Sequence, residues 1–355
     1  MRSAALALLL GLGCAHPRTA PYLAATARAA RAAHAGRHRE AAALWSEATP
    51  LADRPRDADD TRYRAADAWS RAGETDRAVA EFDALASSAA HPPIAARARL
   101  EAALLRLRRD GEGDRARALA DLDALIANAP DRGSGRRALD HRLRLFDEGP
   151  DPDAAVAWLR ARATDAAIRD SDLDASVSHL LALRLARAGR RDEAVTTWQN
   201  LFSRRGFGHN PRWDDGHLAL AQTLLDAGDP RGAVEALDAL FEPWTTSWFV
   251  GSYTGPRMPE AALLRARIYR DVLRDPVAAG EAYRFVYERL EHSTLRDDAM
   301  AEAAELLDRR GEDGCPLWRR LVTELACSPR ARRATERARA CGAAPPRCRA
   351  RVTGE

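Results

Sequence analysis

Six times along the chain a Gly is followed five residues later by Ala, four after that by a large apolar residue, and three further on by Ala or Leu. The sets are Gly36/Ala41/Trp45/Ala48, Gly73/Ala78/Phe82/Leu85, Gly113/Ala118/Leu122/Leu125, Gly149/Ala154/Trp158/Ala161, Gly189/Ala194/Trp198/Leu201 and Gly228/Ala233/Leu237/Leu240. Positions i, i+4 and i+7 share one face of a helix, and the Gly stands where a preceding helix must turn back, a position that often needs positive φ. The unit is a helical hairpin. A seventh set, Arg274/Ala279/Tyr283/Val286, keeps the spacing without the Gly. An Ala at the start of each second helix lets two helix axes approach closely, while the bulky residue one turn later fills the wedge toward the next hairpin. Ala29, Ala66, Ala182 and Ala221 recur seven residues before their Gly, but Arg106 and Arg142 hold that place in the third and fourth units, which predicts different packing there.

The pattern resembles the tetratricopeptide repeat, whose signature has Gly or Ala at the hairpin turn, Ala at the helix crossing and an aromatic one turn later. The resemblance covers roughly residues 22 to 340 and implies an all-α fold, an α-solenoid of about eight antiparallel hairpins. Ala-to-Ala spacings of 37, 40, 36, 40, 39 and 46 residues exceed the family's 34, so the connections hold the extra residues. The expected organisation is a signal peptide over 1–13, a tether over 14–21, repeats over 22–290, capping helices with a disulfide over 291–341, and an Arg-rich tail over 342–355. Residues 287 to 306 also resemble the tandem repeats of envelope lipoproteins that assist outer-membrane assembly and of periplasmic cell-division coordinators.

Composition fits stacked helices: 46% of the 355 residues are hydrophobic, mostly Ala, and only 6% are aromatic. All 55 basic residues are Arg, which a GC-rich genome explains, and 52 acidic residues bring the net charge to +3, so the Arg count is no nucleic-acid signal. Without Lys there is no P-loop lysine, lysine Schiff base or SxxK acylase, and no HExxH, GxSxG or strand-borne GxGxxG occurs. Asp170, Asp172 and Asp174 look like the opening of a calcium loop, but Ala175 and Leu181 replace its Gly and Glu, which leaves a capping or linker role. His209, Asp214, Asp215 and His217 cluster in one connection without a wider ligand pattern, and read as a polar, Asp-capped start of a helix at residues 213 to 217. His34 and His38 flank the Gly36 turn as solvent-facing residues. No metal or cofactor is expected.

The N-terminus places Arg2 before an apolar run from Ala4 to Leu12, then Gly13 and Cys14. The run suits an export signal and is too short to span a bilayer. Gly13-Cys14 resembles the lipobox of bacterial lipoproteins, although Gly11 and Leu12 depart from it, and implies lipidation at Cys14. Ala15 after the Cys implies an outer-membrane lipoprotein facing the periplasm; a soluble periplasmic protein with a cleaved signal is the alternative. The other cysteines are Cys315, Cys327, Cys341 and Cys348. Four thiols in an exported chain favour two disulfides, and their spacings do not make a zinc site. If residues 316–326 and 330–340 form antiparallel helices, Cys315 and Cys341 share an end, with Cys327 roughly 18 Å away. The expected pair is Cys315 with Cys341, and a weaker second is Cys327 with Cys348.

Two connections carry the aromatic residues. From Phe202 to Tyr253, Phe202, Phe207, Trp213, Phe241, Trp244, Trp248, Phe249 and Tyr253 make eight rings, against about three for an average stretch of this chain. Both connections follow second helices and are expected on one edge, either as covers for helix ends or as anchors for a partner. Phe207, Trp213, Trp244, Trp248, Phe249 and Tyr253 are the candidate partner-binding residues. The leading reading is a non-enzymatic envelope scaffold for a protein or peptide; the alternative is a helical-scaffold enzyme or accessory acting on peptidoglycan, for which a buried carboxylate of raised pKa would be the mark.

Overall fold

The computed structural model describes residues 18–128, 132–246 and 257–344, and every regular element among them is helical. Described residues up to Ala155, with Ala166–Leu173, form one compact unit; Val156–Asp165 and the described residues from Asp174 onward form a second.

In the first unit α1 (Ala20–His34), α2 (His38–Ala48), α3 (Pro55–Arg71), α4 (Thr75–Ser88), α5 (Pro92–Arg109), α6 (Asp114–Asn128) and α7 (Arg132–Asp147) each pack on the next. Helix α8 (Pro152–Thr164) falls mostly in the second unit and the single turn α9 (Ala166–Arg169) in the first. The second unit continues with the hairpins α10 (Asp174–Arg187) with α11 (Arg191–Arg204), α12 (Trp213–Asp226) with α13 (Pro230–Thr246), and α14 (Met258–Arg267) with α15 (Pro276–Arg289), followed by α16 (Arg296–Arg309), α17 (Cys315–Glu324), α18 (Pro329–Arg333) and α19 (Thr335–Ala340). A proline in the first turn opens α3, α5, α14, α15 and α17, where its fixed φ suits the helix and its missing N–H is not needed.

Six of the seven spaced sets form the core. Trp45, Phe82, Leu122, Trp198, Leu237 and Tyr283 are buried together with the Ala before and the Ala, Leu or Val after each. Gly36, Gly73, Gly189 and Gly228 take φ between 72° and 82°, the left-handed conformation that ends the first helix of their hairpins, whereas in the third hairpin Asp110 at φ 51° ends α5 and Gly113 at φ 72° stands directly before α6. The fourth set is the exception. Ala154 and Trp158 are half-buried, Ala161 is exposed, and Ala155 and Leu159 are buried in their place. Gly149 is followed by Pro150, whose ring disfavours helical backbone at the residue before it, and Gly149 is absent from the left-handed glycines. The second helix starts three residues after the Gly, against one or two in the other Gly-bearing hairpins, and its inward face lies one position further on.

Where the seventh set lacks Gly, the backbone keeps the turn: Arg274 sits at φ 56°, beyond a π-helical turn over Ile268–Val272. A side chain in that conformation costs about 1–2 kcal/mol, partly offset because Gly gains freedom in the unfolded chain. Arg274→Gly is therefore expected to stabilise the second unit by about 0.5–1 kcal/mol, read as a higher urea midpoint. No gain would mean that the Arg274 side chain contributes as much as its backbone costs.

Arg106 shows what an Arg does in the place of the first-helix Ala seven residues before the Gly. It is 1% exposed on α5, ion-paired to Asp83 on α4 and, at 2.9 Å, to Asp121 on α6. A buried guanidinium persists only with such partners, and its long side chain holds three helices at once. Arg106→Met should cost about 2–3 kcal/mol, below the full penalty for a broken buried pair because both acids still reach water. Adding Asp83→Ala and Asp121→Ala should recover most of it, which a denaturation cycle would measure.

At the C-terminal end Cys315 and Cys341 are joined by a disulfide with Cα atoms 5.2 Å apart. The helices around it differ from the expected pair: α17 stops at Glu324, and the second is split into α18 and α19. Ser328 caps Ala331 N–H at 3.0 Å and starts a fresh five-residue helix. Cys327 is also disulfide-bonded, and Cys348 lies outside the described residues.

Candidate partner-binding site

The connection between the fifth and sixth hairpins lies wholly within the second unit. Its start is set by charge. Asp174, the first residue of α10, is 1% exposed and accepts hydrogen bonds from Arg204 at 3.1 Å, Arg205 at 2.7 Å and the Ser178 hydroxyl at 3.3 Å. A carboxylate so buried needs this many donors, and in supplying them the end of α11 is pinned to α10. The last Asp of the calcium-like run is thus an ion-pair anchor.

The chain next makes a 3-10 turn over Phe207–His209 and enters α12 at Trp213. An Asp cap was expected here, but the helix begins after Arg212 without a side-chain cap, and Asn210 Oδ1 instead accepts the Arg212 N–H at 2.9 Å. The rings pack on one another. Phe202 stacks on His217 with centroids 3.8 Å apart, Trp213 lies 4.2 Å from His217 and 5.6 Å from Phe202, and Phe207 meets Trp213 edge-on at 6.0 Å. Gly216 makes the stack possible: a Cβ there would lie 2.9 Å from Phe202 Cζ. Beneath the stack, fully buried Trp198 donates its indole N–H to His179 Nδ1 at 3.2 Å.

Burial holds both imidazoles neutral. His179 is lowered to about 4 by desolvation, with Arg212 adding repulsion; His217 is lowered to about 4 by desolvation, although its Nδ1–H donates to Trp213 O at 2.9 Å. Each tautomer follows from its partner, since an indole only donates and a carbonyl only accepts. The acids beside them diverge. Burial and the neighbouring Asp215 raise Asp214, whereas Asp215, though burial opposes it, is held below the usual range by Arg257 at 3.0 Å and Arg212 at 3.2 Å. Among the described residues no three His, Cys, Asp or Glu side chains are placed to hold a metal ion.

Asn210 is 4% exposed, yet its Nδ2 has no acceptor, and the buried Arg212 Nε and Trp213 Nε1 also lack one. Three orphan donors within four residues are unusual in a packed region. Of the candidate residues, Phe207 and Trp213 are half-buried in the ring cluster. Trp244 belongs to the last turn of α13, which continues through Pro243 to Thr246, and not to the connection where it was expected. Trp248, Phe249, Tyr253 and Cys14 lie outside the described residues. Asn210, Gly216 and His179 were not legible as site residues; a Gly in the first turn of a helix otherwise rich in Leu was the one available signal.

No protein-family model matches the chain, and no curated protein matches it. Solved structures similar to it include the C-terminal part of a TPR repeat-containing protein from Cytophaga hutchinsonii, at 14% identity, TM-score 0.43, covering 77% of this chain and 98% of that one. The TPR2AB domain of yeast Sti1 in complex with pHSP90 is 12% identical with TM-score 0.30, covering 81% and 96%. The human IFIT1 dimer with PPP-AAAA is 16% identical with TM-score 0.40, covering 89% and 82%. These likenesses are too distant to carry an argument about what this chain binds, and its architecture rests on its own left-handed turns and buried Ala/bulky pairs. By that register the chain is an all-α protein of repeated antiparallel helical hairpins.

Proposed function

We propose that this protein is a non-enzymatic scaffold of the bacterial cell envelope, tethered through a lipidated Cys14 to the outer membrane on its periplasmic side, that binds a protein or peptide at the fifth-to-sixth connection. The observation that carries the reading is the set of orphan donors on Asn210, Arg212 and Trp213 beside a rigid ring stack. An extended peptide offers side chains to such rings, and because the three donor atoms are covered in the free protein its carbonyls reach them when the connection opens. Trp244, Trp248, Phe249 and Tyr253 are proposed as further anchors from their sequence positions. The glycan-cleaving alternative has the raised, half-buried Asp214 in its favour. Asp214 lines neither of the clefts of about 380 Å³ beside the Gly36 and Gly189 turns.

A photo-crosslinking residue in place of Phe207 should give a discrete adduct in intact cells that Asn210→Leu abolishes, with the helical content of the variant unchanged. Asp214→Asn should leave that adduct intact. Equal, diffuse labelling from Phe207 and from exposed Glu112 would overturn the site, and peptidoglycan cleavage lost in Asp214→Asn would establish the alternative.

A further inference from the structure

Helix α1 carries a face that no described element covers. It buries Tyr22, Ala25, Ala29 and Ala32, and at 100° per residue the opposite side presents Leu23, Ala27, Arg31 and His34, all exposed. End hairpins of repeat arrays need a polar outer face to stay soluble. Here Leu23 is 49% exposed, and Leu51, just beyond α2 and so at the same end of the hairpin, is 39% exposed; they are the two exposed large apolar side chains among the described residues of the first unit.

Charge and chain length narrow the occupant. The first acidic residue in the sequence is Glu40, so α1 has Arg28, Arg31 and His34 with no acid of its own. At the Leu23 end Asp57 is held by Arg18 through hydrogen bonds of 2.8 and 3.0 Å, and Asp60 by Arg64 at 2.7 Å; Glu47 and Asp53 are exposed there. The same Arg18 pair fixes where the chain leaves the hairpin. Cys14 stands four residues earlier, a reach of at most about 14 Å.

We infer that the outer face of α1, with Leu51, rests on the anionic bilayer surface to which Cys14 is tethered. The inference depends on the reading of Cys14 as lipid-modified. So short a tether brings α1 to the headgroups, where a helix with apolar and basic side chains on one face lies in the interface plane and its Arg31 guanidinium meets anionic lipid. The first hairpin is then a foot on the membrane, and the remainder of its unit faces the aqueous side.

The test uses the full-length protein purified from membranes, carrying a genetically encoded environment-sensitive fluorophore at position 27 or, as control, at position 112 in the α5–α6 turn of the same unit. It is reconstituted in vesicles of phosphatidylcholine with or without phosphatidylglycerol. The probe at 27 should blue-shift and be quenched by brominated lipid in phosphatidylglycerol vesicles, while the probe at 112 keeps its aqueous spectrum. Leu23→Ser with Arg31→Glu should return the probe at 27 to its aqueous spectrum with helicity and vesicle flotation retained. An aqueous spectrum at 27 in the unsubstituted protein overturns the docking, as does a blue shift in detergent accompanied by a doubled mass, which assigns the face to a second copy. Intact mass reports Cys14 separately: an unmodified Cys14 overturns the tether and the docking with it, whereas a lipidated Cys14 with an aqueous probe overturns the docking alone.

Discussion

Acidification from pH 6.5 to 4 should loosen the α10–α12 region by on the order of 3 kcal/mol for each of His179 and His217, the largest effect expected of any perturbation of this protein. Both imidazoles have an ordinary value of 6.5 and are lowered to about 4 in the folded chain. Below pH 6.5 the unfolded state takes up protons that the folded state refuses, so stability present above 6.5 is lost progressively until the folded imidazoles themselves titrate. Arg212 and Asp215 act on His179 in opposite senses, and the Trp213 carbonyl partly supports the proton on His217. Urea denaturation at a series of pH values would measure the loss. His179→Gln, which offers Trp198 an acceptor that does not titrate, should remove about half of the slope. A flat profile between pH 6.5 and 4 would show that these rings are not buried as neutral species.

Trp198→Ala should cost about 3–5 kcal/mol and belongs to the same region. The indole is 0% exposed between Ala194 and Leu201, which are equally buried, and its N–H is the partner of His179. Truncation opens a cavity and strands a buried acceptor, and the two penalties can be separated: Trp198→Phe keeps most of the volume and should lose only about 1–2 kcal/mol for the hydrogen bond. Because hairpins in such an array contact mainly their neighbours, amide exchange should rise first in α10, α11 and α12. A loss below about 0.5 kcal/mol would mean that Trp198 is not a wedge.

The hairpin register was legible because its requirements are local and chemically narrow. A tight turn between two helices selects Gly, a close helix crossing selects Ala, and the gap left one turn later selects a bulky apolar residue; five sets meet all three and are buried, and the seventh is buried without the Gly. The fourth set matched in letters and failed in space. Its Gly149 precedes a proline and is not left-handed, and Ala155 and Leu159 face inward in place of Ala154 and Trp158. The aromatic enrichment between Phe202 and Trp213 was equally visible, but whether those rings face a partner or one another depends on distances, and they stack around His217.

What the sequence determined by itself was therefore the all-helical hairpin array, the places where most hairpins turn and which residues wedge them apart, since each follows from spacing within about twenty residues. Only the tertiary structure decided that Arg106 is buried between Asp83 and Asp121, that Asp174 anchors the end of α11, that Arg274 holds a left-handed turn without Gly, and that His179 and His217 are kept neutral. Burial and ion pairing join side chains from different helices, and the electrostatic cost of a buried charge is set by whichever groups the packing brings within reach, a quantity that no local spacing encodes.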